Sequence, residues 1–169
     1  MRKCARFEKV SFNQFKEDFK DFNLNDEEVK KVYDEIKLPV RATKSSAGYD
    51  FFSPIDFELK PNEILKIPTG IRCYMEEDVV LSIYPRSSLG FKYRMQLNNT
   101  VGIIDSDYYN AQNEGHIQIK FTNDSRENKT LSVKKGEAFS QGIFTEFLVT
   151  YDDNVVNERV GGFGSTNKK

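Results

Sequence analysis

From Pro39 onward, the chain consists of short β-rich runs separated by turn residues. The turns contain Gly, Pro, Asn, Asp and Ser, as at 60–62, 68–70 and 123–125. Predicted strands cover 49–53, 64–67, 71–75, 79–84, 101–104, 116–121, 130–133 and 138–147. Many short strands with no helices between them favour a mainly β fold, either an antiparallel sandwich or a jelly roll.

The first 37 residues follow helical patterns instead, after a short predicted strand at 6–10. Ser11 followed by Gln14, and Asn25 followed by Glu28, predict the starts of two helices. An aromatic stripe at steps of three and four marks the first helix, and its members are Phe12, Phe15, Phe19 and Phe22. We therefore expect an extension at 1–37 that packs on a β domain at 38–156, although a separate binding arm is the alternative. The glycine-rich segment 157–169 has no periodicity and is predicted to be a mobile tail.

Composition excludes several classes of partner. The 169 residues suit one domain, and the net charge of −1 gives no general attraction to nucleic acid or to an anionic membrane. No apolar run approaches the ~20 residues of a membrane-spanning helix, and none follows the N-terminus as in a signal peptide. Cys4 and Cys73 have neither metal-ligand spacing nor disulfide density, which is typical of a reducing compartment. We predict a cytoplasmic protein.

Three polar residues follow the predicted apolar strand at 101–104, and they are Asp105, Ser106 and Asp107. A carboxylate at the end of a strand is restrained behind and open to solvent in front, which suits a general base that orients one water. A polar turn explains the same residues, since Asp and Ser are common in turns.

Two other segments contain groups that bind anions. Arg86 and the hydroxyls of Ser87 and Ser88 follow the predicted strand at 79–84, although the segment lacks the Gly-Lys-Ser/Thr ending of a Walker A loop. In the tail, glycines adjoin Arg159 and Phe163, and such backbone can cradle phosphate while the aromatic ring covers a base. An ordinary turn and an ordinary terminus are the alternatives.

Taken together, five segments resemble the five motifs of the homotrimeric dUTP diphosphatases (dUTPases). In chain order they are Ala-Gly-Tyr-Asp at 47–50, Pro-Arg-Ser-Ser-Leu-Gly at 85–90, Asn-Thr-Val-Gly-Ile-Ile-Asp-Ser-Asp-Tyr at 99–108, Gly-Glu-Ala-Phe-Ser-Gln at 136–141 and Arg-Val-Gly-Gly-Phe-Gly-Ser-Thr at 159–166. The resemblance covers roughly residues 38–167 and implies a jelly roll or distorted β-barrel there; the N-terminal helical extension falls mostly outside it. It also implies hydrolysis of dUTP to dUMP and diphosphate, which limits uracil in DNA and supplies dUMP for thymidylate synthesis.

The same resemblance assigns the catalytic roles. Asp105 would activate the water that attacks the α-phosphorus, and Ser87 would bind the oxygen that bridges the α- and β-phosphates. Arg86 and Gln141 would hold the phosphates in place. Mg²⁺ would be bound through the triphosphate with no direct protein ligand, and Asp50 would hold its waters.

Substrate selectivity is implied as well. Asn99, the backbone at 102–104 and Gln118 on a returning hairpin strand would imitate base pairing to uracil, while Tyr108 would pack under the deoxyribose. The predicted substrate contacts are Ser88, Asn99, Gly102, Ile103, Ile104, Tyr108, Gln118, Arg159, Phe163, Gly164, Ser165 and Thr166. The family implies a homotrimer in which three chains share each site, with dUTP as the partner and no direct binding to nucleic acid or membrane.

This chain departs from the family pattern most clearly at 109–114, where six residues stand in place of one. Arg159 also lies one residue closer to Phe163 than is usual. His116 is interpreted as a partly exposed structural residue. The rival hypotheses are a dCTP deaminase, which shares the Arg-Ser-Ser turn, and a nucleotide-sensing interaction protein.

Overall fold

The computed structural model describes residues 1–157, 159 and 161. Its strands are β1 (Ala5–Lys9), β2 (Val40–Arg41), β3 (Tyr49–Phe52), β4 (Phe57–Leu59), β5 (Ile64–Pro68), β6 (Ile71–Met75), β7 (Val79–Pro85), β8 (Met95–Leu97), β9 (Gly102–Ile104), β10 (Gln118–Asn123), β11 (Leu131–Val133) and β12 (Ala138–Glu146). The α-helices are α1 (Phe12–Asp18), α2 (Asp26–Asp34) and α3 (Ser87–Tyr93), and short 3-10 helices cover Lys20–Phe22 and Ser106–Asn110. The predicted mainly β fold is confirmed.

Antiparallel pairing organises the strands into four sheets in the described part of the chain. The largest has the order β2-β3-β12-β7-β9, and the second has the order β5-β10-β8. β1 pairs with β6, and β4 pairs with β11. Alternating side chains from these sheets form one core, whose largest fully buried members include Phe51, Phe121, Phe139, Ile67 and Leu81.

The N-terminal helices start where the sequence predicts. The Asn25 side chain accepts from the Glu28 backbone N–H, and the Glu28 carboxylate accepts from the Asn25 N–H, which completes a capping box. Ser11 caps α1 through the Gln14 backbone N–H. The Gln14 side chain donates to Asp18 instead of returning to the cap, because that carboxylate lies one turn further along the same face.

A second hydrophobic cluster joins these helices to the β domain. Val10, Phe15, Phe19, Val29 and Val32 are all buried in it. The Phe15 ring stacks on Phe19 with a centroid separation of 4.6 Å, and it also lies 6.1 Å from the ring of His116. The aromatic stripe of α1 therefore faces the β domain.

Two predictions about local structure are wrong. The segment after β7 forms the helix α3, although its Ser-Ser-Leu-Gly sequence is typical of a turn; Arg94 in the left-handed conformation ends the helix. The expected hairpin between 101–104 and 116–121 does not form in the described chain. β9 pairs with β7, while β10 pairs with β5 and β8.

Candidate active site

One group of predicted site residues gathers at the end of β7. β12 lies between β3 and β7, and its register sets Gln141 opposite both Asp50 and Tyr84. The Gln141 carboxamide donates to the carbonyl oxygen of Pro85 at 3.2 Å. Three neighbouring strands, β3, β12 and β7, therefore bring the predicted phosphate-binding groups together at one end of the sheet.

Gly48 allows Gln141 to occupy this position. A Cβ atom on residue 48 would lie 2.5 Å from Gln141 Oε1, which is inside any normal contact distance. The absence of a side chain at Gly48 therefore makes room for the carboxamide.

Charge and hydroxyl groups complete this edge. Arg86 Nε lies 3.3 Å from Asp50 Oδ1, and the side chain of Asp50 is only 15% exposed. Ser87 and Ser88 begin α3 and are exposed. A cavity of about 330 Å³ is lined by Ala42, Ser46, Gly48, Asp50, Arg86, Ser87, Ser88 and Gln141.

Asp105 lies directly after β9, in extended backbone that caps the 3-10 helix Ser106–Asn110. The side chains of Asp105 and Asp107 are about half exposed. Arg159 joins the two: its Nη2 lies 2.5 Å from Asp105 Oδ2, and its Nε lies 2.7 Å from Asp107 Oδ1. The guanidinium also lies 5.7 Å from the centroid of the Tyr108 ring. In this structure the tail arginine therefore covers the candidate base and the predicted sugar contact together.

Two hydrogen bonds at its hydroxyl hold the Tyr108 side chain in place. Its hydroxyl donates to the carbonyl oxygen of His116 at 2.9 Å and accepts from the Asn113 side chain at 2.7 Å. Burial raises the pKa of the Tyr108 phenol, so the hydroxyl stays protonated and can donate. The ring is consequently fixed at its far end.

Asp105 and the Arg86 group lie at opposite ends of the same ladder. Ile104, which precedes Asp105, pairs with Leu81 near the start of β7, whereas Arg86 follows the end of β7. At roughly 3.3 Å per residue, the two groups lie about 20 Å apart along the sheet. One chain alone does not bring the predicted base to the predicted phosphate site.

The predicted base contacts are spread over two sheets. Asn99 and Ile103 are exposed, Ile104 is buried, and Gly102 lies against Ile83. Gln118 begins β10 in the other sheet.

Some predictions fall outside the described residues, among them the tail contacts Phe163, Gly164, Ser165 and Thr166. His116 is fully buried, so its interpretation as a partly exposed residue is wrong. Burial raises the pKa of Cys73 to about 12, which keeps its thiol protonated.

No group of three or more His, Cys, Asp or Glu side chains in the described part of the chain could hold a metal ion. No helix among these residues is long and apolar enough to cross a membrane.

Comparison with known proteins agrees with the sequence motifs. The dUTPase family model matches residues 34–167. A deoxyuridine 5'-triphosphate nucleotidohydrolase of Lactococcus lactis is 44% identical over 134 residues, which cover 78% of this chain and 88% of that protein. A protein of the same name from Haemophilus influenzae is 35% identical over 147 residues, which cover 82% and 93% of the two chains.

Solved structures show the same fold. The dUTPase of Streptococcus mutans is 34% identical with a TM-score of 0.63, and the match covers 85% of this chain and 97% of that one. The dUTPase of phage phi11 of S. aureus, in which a structural Mg(II) ion is coordinated, has a TM-score of 0.63 at 18% identity and covers 92% and 98%. On the family match over residues 34–167 and these identities, the chain belongs to the dUTPase family.

Proposed function

We propose that this protein hydrolyses dUTP to dUMP and diphosphate, with water attacking the α-phosphorus. Membership of the dUTPase family supports the reaction, as does the name that the Lactococcus lactis and Haemophilus influenzae relatives share. The observation that carries the mechanism is the position of Asp105, on extended backbone at the end of β9 with its side chain about half exposed.

Asp105 is the proposed general base. Its Oδ2 atom accepts from Arg159 at 2.5 Å, so this oxygen must exchange that partner for the attacking water before it takes a proton. The phosphates of the substrate carry more negative charge than the two carboxylates that share this guanidinium, so they attract it more strongly. We propose that Arg159 moves from Asp105 and Asp107 to the β- and γ-phosphates when dUTP binds. The departure of Arg159 would free the base of its own chain.

The cavity at the end of β7 is the proposed phosphate site. Arg86 provides a fixed cation whose position is set by Asp50, and the hydroxyls of Ser87 and Ser88 are exposed beside it. Ser87 would donate to the oxygen that bridges the α- and β-phosphates, where negative charge develops as diphosphate leaves. The Gln141 carboxamide is neutral, so it would contact the phosphates without competing with the metal ion for them.

The donor set fits a magnesium ion that arrives with the triphosphate. Among the described residues no acidic cage exists, and Asp50 is a single carboxylate beside the cavity. Mg²⁺ usually keeps several waters and binds through few protein ligands, and it would neutralise phosphate charge. Asp50 would accept hydrogen bonds from those waters.

Tyr108 and the segment after Asn99 form the proposed nucleoside site. The backbone at Gly102, Ile103 and Ile104 and the side chains of Asn99 and Gln118 would pair with uracil, and the buried Tyr108 ring would leave no space for a 2'-hydroxyl. From the sequence, Phe163 would cover the base while Gly164, Ser165 and Thr166 close on the phosphates.

Each site is proposed to be completed by other copies of the chain in a homotrimer. The separation of roughly 20 Å between Asp105 and Arg86 along one ladder supports a site in which the base and the phosphate site come from different chains. Exposed apolar side chains give such an assembly its contact area, and they include Phe91 (92% exposed), Leu148 (96%) and Val156 (89%). Binding to nucleic acid or membrane is not part of this proposal, and the cytoplasm remains the predicted compartment.

A substrate panel tests the reaction. Purified protein with Mg²⁺ and, separately, dUTP, dCTP, dTTP and UTP is expected to release diphosphate from dUTP alone, because only that nucleotide satisfies both the base and the sugar contacts. Diphosphate and ammonia are measured in parallel. Ammonia from dCTP, or no turnover of any nucleotide, would contradict the proposed activity.

Asp105→Asn tests the base. We expect dUTP to bind with little change in Kd while kcat falls by roughly 10²–10⁴-fold, because the amide cannot accept the proton. Asp107→Asn is the matched control, since it removes the other carboxylate that pairs with Arg159 and is expected to lower kcat far less. Equal losses in the two variants, measured by calorimetry and steady-state kinetics, would remove Asp105 from this role.

Gly48→Ala tests the position of Gln141. The added Cβ would lie 2.5 Å from Gln141 Oε1, so the carboxamide must turn away from the phosphate site. We expect kcat/KM to fall about tenfold with little change in Tm, because a misplaced contact loses transition-state binding. Gly90→Ala is the control, as its Cβ meets no described atom within 4 Å. An unaltered kcat/KM in Gly48→Ala would argue against a role for Gln141.

A further inference from the structure

The N-terminal extension reaches the proposed nucleoside site through a hydrogen bond between Asp18 and the buried imidazole of His116. Asp18 is the last residue of α1, and its Oδ2 atom lies 2.5 Å from Nδ1 of His116, whose side chain is 0% exposed. Burial alone would raise the pKa of Asp18, but hydrogen bonds from His116 and Gln14 bring it below its ordinary value. The carboxylate is therefore charged at neutral pH.

The partners of the imidazole fix its tautomer and orientation. The backbone N–H of Gly70 donates to His116 Nε2 at 2.8 Å, so Nε2 is the accepting nitrogen. Nδ1 then carries the hydrogen that it donates to Asp18. A ring held at both nitrogens in a fully buried position has one orientation, and the backbone of residue 116 is held with it.

That backbone is what holds Tyr108. The carbonyl oxygen of His116 accepts from the Tyr108 hydroxyl at 2.9 Å. Between them, Gly115 has a φ of +69°, and a Cβ there would lie 2.6 Å from the carbonyl oxygen of Tyr108. The two segments are in such close contact that displacement of residue 116 is transmitted to Tyr108.

We infer that Asp18 is a positioning residue for sugar recognition: it fixes His116, and His116 holds the Tyr108 ring where it excludes a 2'-hydroxyl. The inference rests on the proposed function, in which Tyr108 packs under the deoxyribose. Asp18 lies outside residues 34–167, which the family model matches. The N-terminal helix is thereby part of the selectivity of the enzyme.

The extension has other attachments, so this role can be separated from folding. The backbone N–H and the hydroxyl of Ser11 each donate to the Glu114 carboxylate at 2.7 Å, and the ring of Phe15 is buried. Loss of the Asp18 carboxylate leaves these contacts in place. The extension is therefore expected to stay docked while the His116 ring loses its anchor.

Steady-state kinetics of Asp18→Ala with dUTP and with UTP test the inference. We expect the ratio of kcat/KM for dUTP to kcat/KM for UTP to fall by tenfold or more, because small displacements of a contact at the substrate cost large factors in rate. Asp18→Asn keeps an oxygen that accepts from Nδ1 and is expected to restore most of the ratio. Val29→Ala removes buried volume from the same extension without touching His116, and it should leave the ratio unchanged.

An unchanged ratio in Asp18→Ala, in a protein that hydrolyses dUTP, would overturn the positioning role and leave the proposed function intact. An equal fall in Val29→Ala would also overturn it, because general loosening of the extension would then explain the effect. A wild-type protein that does not hydrolyse dUTP would refute the proposed function, and this inference with it.

Discussion

The antiparallel ladder of β7 with its neighbours β12 and β9 is the constraint on which the proposed site depends. Its register with β12 brings Gln141 to the end of β7, beside Arg86 and Asp50. Its register with β9 directs Asp105 to the opposite end. Because strand pairing fixes both positions, no side-chain rotation within one chain can bring the proposed base to the proposed phosphate site. The proposed mechanism therefore depends on assembly of more than one chain.

The extension and the insertion at 109–114, which lie outside the usual family pattern, contact each other in the structure. The Glu114 carboxylate accepts from the backbone N–H and the hydroxyl of Ser11, and the Tyr109 hydroxyl donates to Glu8 on β1. Arg72 covers the Tyr109 ring at 3.6 Å and donates to the Tyr109 carbonyl oxygen. The two additions thus form one supporting layer behind Tyr108, and the hydrogen bond between Asp18 and the buried His116 lies within it.

Patterns within a few residues of sequence predicted much of this architecture, whereas contacts between residues far apart along the chain could not be predicted. The capping box at Asn25 was predictable because its partners lie three residues apart. The burial of His116 was not, since its partner Asp18 lies 98 residues away along the chain. Order along the chain identified the motif segments, but only strand register shows that Asp105 and Arg86 separate. The helix α3 was missed because it is short and its polar start also suits a turn.

The most direct test of shared sites mixes two inactive variants, Asp105→Asn and Ser87→Ala, in one refolded or co-expressed sample. If each site takes Asp105 from one chain and Ser87 from another, random mixing restores about a quarter of the wild-type sites. The double variant Asp105→Asn/Ser87→Ala mixed with either single variant should restore none. We predict recovery of dUTP hydrolysis near that fraction in the first mixture; a mixture as inactive as its separate components would contradict the account.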